Sequence, residues 1–351
     1  MAFLKIENVS VKGVTVCIPK NIEENMEYET VPLEQRKNFV EAIGIERRHV
    51  ADLSTCASDL CYKSAEHLIA QLGWEKDSID LVIFVSQTPD YKMPATSCLL
   101  QERLGLQKTT MTIDISQGCS GYVYGLGVAG SLVSSGTIKR CLLLVGNTQT
   151  KNLNYKDKST YPLFSDAGSA TAIEYNPVKG DTFYLSYGSD GGGENTIIIP
   201  DGGYRNMVNE DSFVEETLES GITRCRLNVY MKGDEVFTFV VGNIPKFAKE
   251  LFNHFDLKNE QIDYYFLHHA SWLVLKKLIK KLAIPDGKAP ILLREYGNIS
   301  NVSIPLLLTH IGKELTSSKL NLFITGFGVG LSLGVGVIEV GPLSCADLIE
   351  Y

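Results

Sequence analysis

Residues 114–126 read DISQGCSGYVYGL, and the fold turns on this stretch. It enters as a strand, because Met111, Ile113 and Ile115 alternate with polar residues. Beyond Gln117-Gly118 and Cys119 the residues become small. Ser120, Gly121, Gly125, Gly127, Ala129, Gly130 and Ser131 interleave with Tyr122, Tyr124, Leu126 and Leu132, whose spacing is helical, and Gly136 is a stop signal. Each glycine costs a helix roughly 1 kcal/mol against alanine. A helix tolerates that cost where neighbours approach it closely from all sides. Cys119 then stands at the N-terminus of a buried helix, where the macrodipole and free N–H groups favour an anion and lower a thiol pKa. Two readings of Cys119 stay open on this stretch alone, an activated nucleophile or a buried structural thiol.

The bulk composition narrows the class. A chain of 351 residues suits two domains or one doubled domain. With 44% hydrophobic and 21% charged residues it is globular, and a net charge of −8 lacks the basic footprint of a nucleic-acid binder. The eight cysteines (17, 56, 61, 98, 119, 141, 225 and 345) are irregularly spaced, and no CxxC occurs even at the closest pair, 56 and 61. Neither a disulfide framework nor a zinc site is expected, and free thiols fit a reducing cytosol. Residues 1–11 contain no apolar core of signal-peptide length. The uncharged runs 115–138 and 320–338 match a membrane span in length. Both are rich in Gly and Ser, and the second alternates with a period near two, so they are expected to be buried core of a cytoplasmic protein with no membrane partner.

In chain order, 3–18 reads as strands around Lys12-Gly13, and 21–36 as a polar loop before a short helix through Phe39 and Val40. Residues 44–48 form a turn with two adjacent cations. A helix over 54–72 ends near Gly73, and 79–86 is a continuous apolar run, as in a strand buried on both faces. A loop (88–96), a helix (97–104), a buried strand (141–145) and a strand (169–174) complete a mostly parallel βαβαβ pattern with one extra strand. The pattern then recurs. Trp74-x4-Ile79-Asp80 matches Leu257-x4-Ile262-Asp263 at an offset of 183, and 142–146 matches 322–326 at 180. Residues 168–174 have a counterpart in 334–339. Three matches in one order predict an internal duplication, with halves 1–176 and 177–351 packed so that loops of both surround one site. Residues 176–224 are the long connection, and GSDGGGE at 188–194 is a turn without phosphate-loop spacing.

Three elements of the second half suit a thiolate. The strand 264–268 ends at His268-His269, where α/β sites lie. Asn298 sits in the turn YGNIS, and GFGVG at 326–330 can aim a backbone N–H at a ligand. Each has a plainer reading: a strand end, an N-cap, a corner. Adjacent histidines are a poor metal pair, because neighbouring strand residues face opposite ways. Yet DISQGCSGYVYGL, LFSDAGSA (163–170), GSDG (188–191), MKGDEVF (231–237), His268-x-Ala270, YGNIS (296–300) and GFGVG occur in this order in β-ketoacyl-acyl carrier protein synthase III, which the chain resembles over nearly its whole length. The resemblance implies a thiolase-like α/β fold, duplicated in five αβαβα layers, and a homodimer. It implies a Cys-His-Asn triad of Cys119, His268 and Asn298, with an oxyanion hole from the backbone N–H groups of Cys119 and Val329. It implies no metal or redox cofactor, only acyl and malonyl thioesters of coenzyme A or acyl carrier protein as substrates. Cys119 would take the acyl group, and His268 and Asn298 would stabilise the enolate left when the malonyl thioester loses CO2.

The sequence departs from the family at several points. Asn38 replaces a tryptophan that stacks on adenine, and Leu273 an arginine that helps dock the carrier. His269 replaces a Gln, and Val329 a Gly of the loop. Met93 replaces an aromatic residue that closes the primer pocket across the dimer. Met93 is therefore expected in the acyl pocket, and Lys276 and Lys277 in a relocated docking patch. Alternatives are ester or amide formation from acyl-Cys119 without decarboxylation, and a non-catalytic carrier-binding partner.

Overall fold

The computed structural model describes residues 2–351. Its strands are β1 (Ala2–Ile18), β2 (Leu81–Val85), β3 (Met111–Ile115), β4 (Arg140–Asn147), β5 (Ala167–Tyr175), β6 (Asp181–Ser189), β7 (Tyr264–Leu267), β8 (Leu320–Gly328), β9 (Ser332–Val340) and β10 (Cys345–Glu350). The main helices are α1 (Leu33–Ile43), α2 (Ala57–Leu72), α3 (Thr96–Arg103), α4 (Gly121–Ser134), α5 (Gly233–Phe255), α6 (Trp272–Lys281) and α7 (Ser303–His310). The strands run in the order β7-β8-β9-β6-β1-β5-β4-β2-β3, with β10 beside β1.

Alternation within the strands separates the layers. Leu81, Ile83 and Val85 of β2 share a core with Tyr122 and Leu126 of α4, Leu307 of α7, and Leu322 and Ile324 of β8. Val82 and Phe84, on the opposite face of β2, pack with Leu68 of α2 and Leu100 of α3. Phe323 and Leu267 of the second sheet pack outward on Val240 and Ile244 of α5 and Val274 of α6. Helices α4 and α7 thus lie between two sheet faces, and the other helices cover the outside. That is the five-layer thiolase-like arrangement.

The repeated Ile-Asp pairs do equivalent work. Asp80 accepts from the backbone N–H of Lys139 and Arg140, and its own N–H donates to the Arg140 carbonyl. Asp263 likewise accepts from the Asn321 N–H and donates to the Asn321 carbonyl. In each half the aspartate fixes the start of a neighbouring strand.

Several expectations are corrected. Residues 3–18 form one strand, with a register break between Val11 and Gly13. Its first part pairs with β6 and its second with β5 and β10, so the two sheets are joined through β1. The long connection after 176 contains β6, nine residues beside β1. Pairing is parallel within β3-β2-β4, in β7-β8 and in β1-β10, but antiparallel at β5, β6 and β9. Helix α1 begins at Leu33, inside the expected loop. Of the two adjacent cations, Arg47 is exposed and paired with Glu24 and Glu295, whereas Arg48 is buried on Glu23 and the Phe164 carbonyl.

The glycines of α4 meet neighbours from both sheets. A Cβ on Gly125 would stand 2.8 Å from Leu143 of β4, and one on Gly127 1.9 Å from the Tyr187 hydroxyl of β6. That hydroxyl donates to the Val123 carbonyl, so it cannot retreat without breaking the bond. Gly127→Ala is expected to lose about 1–3 kcal/mol through overpacking, measured by urea unfolding; an unchanged midpoint would show that Tyr187 has room to move.

Candidate active site

Strand β3 delivers the chain to Gln117, and Cys119 follows two residues before α4. The turn is held from the second half. Asn301 donates to the carbonyls of Val85 and Gln117 and accepts from Asn147, both asparagines being buried. Asn147 also accepts from the Gln87 N–H. The end of β8 passes against the cysteine: a Cβ on Gly328 would stand 2.8 Å from its sulfur, and one on Gly326 2.7 Å from its carbonyl. The Ser332 hydroxyl donates to the Val329 carbonyl and meets the Ser120 hydroxyl at 2.8 Å, which ties the loop to the start of α4.

Asn298 is clasped by the first half. Its N–H donates to the Leu163 carbonyl, and its carbonyl accepts from the Ser165 N–H. LFSDAGSA is therefore the strap that seats Asn298. Within the strap, buried Asp166 accepts from Ala51 and Thr150.

Ser300 connects the three candidate residues. Its hydroxyl donates to the Cys119 sulfur at 3.8 Å, and its N–H donates to Asn298 Oδ1 at 2.9 Å. Its carbonyl accepts from the Ser303 hydroxyl, which lies 3.1 Å from His268 Nδ1. Ser300 holds φ of 53°, a left-handed conformation that costs a non-glycine residue on the order of 1 kcal/mol. With the Ser303 proton committed to Ser300, Nδ1 of His268 is the donor, and Nε2 keeps a lone pair. Nε2 is buried and has no partner among the described residues.

The electrostatics differ from the sequence expectation. Burial pushes the Cys119 thiol above its ordinary value, although the Ser300 hydroxyl and the backbone N–H groups of Val329 and Cys119 pull the other way. The helix N-terminus does not by itself give a resting thiolate. Burial, and then the adjacent His269, push the His268 imidazole down to about 3, so it rests neutral. His269 is equally buried but points elsewhere, toward the Leu292 N–H. A neutral thiol and a neutral imidazole can become an ion pair only together.

The remaining predicted residues lie outside this cluster. Met93 is 74% exposed, on the loop before α3. Lys276 and Lys277 are exposed on α6, one turn beyond exposed Leu273, while Lys281 is engaged with the Val241 carbonyl. Asn38 is exposed on α1, and Trp272 lines a groove between α1 and α6 with Lys37, Glu41 and Arg294. Sequence reading missed Asn147, Ser300, Asn301 and Ser303. For the last three the run NISNVS at 298–303 is the only signal, and it reads as a turn.

A hydrogen-bond donor favours a thiolate. Ser300→Ala should therefore move the pH profile of Cys119 alkylation by iodoacetamide upward and slow it roughly fivefold at neutral pH, as for a bond of ~1 kcal/mol. Peptide mapping isolates Cys119 from exposed Cys98; a superimposable profile would mean that the hydroxyl does not act on the sulfur.

Comparison with known proteins places this geometry. Residues 113–191 match the family described as 3-oxoacyl-[acyl-carrier-protein] synthase III, and residues 252–340 match its C-terminal part. A β-ketoacyl-[acyl-carrier-protein] synthase III of Clostridioides difficile is 31% identical over 93% of this chain and 97% of its own. That of Desulfitobacterium hafniense is 30% identical over 95% and 98%. The crystal structure of a 3-oxoacyl-(acyl-carrier protein) synthase from Burkholderia xenovorans superposes with a TM-score of 0.93 at 36% identity, covering 100% of this chain and 99% of that one.

Proposed function

Because this chain belongs to the β-ketoacyl-acyl carrier protein synthase III family, we propose that it condenses an acyl group held on Cys119 with a malonyl thioester to give a β-ketoacyl thioester. One observation carries the assignment of roles: Cys119, from one half, and His268 and Asn298, from the other, are all tied to Ser300.

In the first step the Cys119 sulfur attacks the acyl thioester carbonyl. The lone pair of His268 Nε2 takes the thiol proton and returns it to the departing thiol. The backbone N–H groups of Cys119 and Val329 hold the oxyanion of the tetrahedral intermediate. In the second step the malonyl carboxylate leaves as CO2, and its bonding pair becomes an enolate. The Asn298 side-chain amide donates to the enolate oxygen, and His268 donates to it from Nε2 as the other neutral tautomer, formed by taking a solvent proton at Nε2 and releasing the Nδ1 proton to solvent, with the Ser303 hydroxyl then donating to Nδ1. The enolate carbon attacks acyl-Cys119, the C–S bond breaks, and the thiolate takes a proton from solvent, the one proton the overall reaction consumes. No metal or redox cofactor enters these steps.

A homodimer is part of this proposal. Strand β3 ends the sheet with an unpaired edge, and exposed Tyr91, Lys92 and Met93 lie on the loop before α3, the helix that packs beside it. Such an edge is ordinarily covered. A partner's β3 would cover it and would bring Met93 to the partner's acyl pocket. A thioester carried by acyl carrier protein is favoured over free coenzyme A. Asn38 lacks an aromatic face worth about 0.5–1.5 kcal/mol, or up to roughly tenfold in affinity. Lys276 and Lys277 offer cations to an acidic carrier.

Four outcomes test the proposal. Intact-mass measurement with a panel of acyl thioesters should show one acyl group on the protein and none on Cys119→Ala. His268→Ala should still acylate slowly but lose malonyl decarboxylation by roughly 10²–10³-fold; a larger loss with His269→Ala would reassign the role, and turnover without CO2 release would replace condensation by simple acyl transfer. Met93→Trp should shorten the longest primer accepted, and an unaltered chain-length profile would remove Met93 from the pocket. Reversing Lys276 and Lys277 to Glu should cut kcat/KM for the carrier substrate roughly tenfold at low salt and little at high salt. Equal use of free coenzyme A, abolished by Trp272→Ala, would show instead that Trp272 supplies the aromatic face missing at 38.

A further inference from the structure

Away from the active site, on the outer face of the first sheet, three metal-ligating side chains converge from distant parts of the chain. Cys345 and Asp347 stand at alternate positions of β10, so both project to the same side of the strand. His67 reaches them from α2. Its Nε2 lies 2.7 Å from Asp347 Oδ2, the Cys345 sulfur lies 3.3 Å from the same oxygen, and the three ligand atoms all fall within 4.8 Å of one another. We propose that His67, Cys345 and Asp347 bind a zinc-class divalent cation, with water in the fourth position, and that the ion staples the C-terminal strand to α2.

The donor set selects the metal. A thiolate, an imidazole and a carboxylate suit zinc and its spectroscopic stand-in cobalt, whereas magnesium and calcium take oxygen ligands. Bonds of about 2.0–2.3 Å in a tetrahedron place ligand atoms roughly 3.3–3.7 Å apart. The sulfur–oxygen spacing already fits, and the imidazole–carboxylate spacing must open by less than about 1 Å. Both of those side chains are partly exposed and can move, with 30% of His67 and 46% of Asp347 accessible. Cys345 is buried and fixed, and the Thr15 hydroxyl 3.6 Å from its sulfur can donate to a thiolate. One thiolate and one carboxylate balance the charge of a divalent cation. The role is mechanical. Strand β10 pairs with β1 along Gly13–Ile18, and the ion would add a second attachment, to the helix layer.

Cobalt titration of the chelator-treated full-length protein tests this. The expected result is one cobalt per chain, with the visible bands of four-coordinate cobalt and a near-ultraviolet thiolate charge-transfer band, all displaced by zinc. Cys345→Ser should lose the charge-transfer band. Asp347→Asn and His67→Gln, on the accessible side, should weaken binding at least about tenfold. Zinc should raise Tm for the wild type and not for His67→Gln, a readout that remains if Cys345→Ser fails to fold. A wild type without the charge-transfer band, or a band and a zinc-dependent Tm rise that survive in Cys345→Ser, would overturn the proposal.

Discussion

Close approach at the start of α4 is the constraint on which the rest depends. Gly118 leaves no space for a Cβ between Gln87 and Val329, Gly121 none against Val85 and Asn301, and Gly328 none against the Cys119 side chain. A side chain at any of these positions would push apart the two halves of the molecule. Because the backbones meet so closely, groups from the second half reach a cysteine of the first half directly. The roughly 1 kcal/mol that each glycine costs the helix is offset by packing against both sheets. The same approach excludes water and thereby sets the electrostatics of the site.

Much of this was legible in sequence, for physical reasons that differ by element. The βαβ strands 81–85 and 140–147 showed as apolar runs because both of their faces are buried. The duplication showed because Asp80 and Asp263 perform the same backbone-anchoring task, which demands the same residue at the same place. Strand β6 escaped because DTFYLSYGS mixes small, polar and aromatic residues, its Tyr184 and Tyr187 packing on opposite sides. The network beneath the cysteine escaped for another reason. Ser300, Asn301 and Ser303 are short polar residues whose partners lie either within their own turn or 35 to 216 positions away, so no local spacing announces them. The cluster of His67 with Cys345 was invisible for the same reason, since spacing rules for metal ligands see only neighbours in sequence.

Ser300 shows how backbone strain and chemistry are linked. Its left-handed conformation lets one residue send its hydroxyl, its N–H and its carbonyl to three different partners. The carbonyl also closes the turn by accepting from the Ser303 N–H, while the N–H and hydroxyl are directed to Asn298 and Cys119. The surrounding strap, in which residues 163–165 pair with Asn298, holds the turn in place and supplies the stability that the strained residue lacks.

The neutral resting state of Cys119 and His268 follows from the same burial, and it bears on selectivity. A thiolate formed in advance would be exposed to oxidants and to any electrophile that reached it. Here burial penalises the thiolate and the imidazolium separately, a cost that opposite charges formed together at close range offset. The two charges are therefore accessible only together, and the backbone N–H groups of Cys119 and Val329, which at rest draw on the sulfur, are the proposed donors to a carbonyl oxygen. In the proposed reaction, a correctly seated thioester supplies that oxygen. Binding and activation are then one event, and a substrate that fails to seat leaves the thiol protonated.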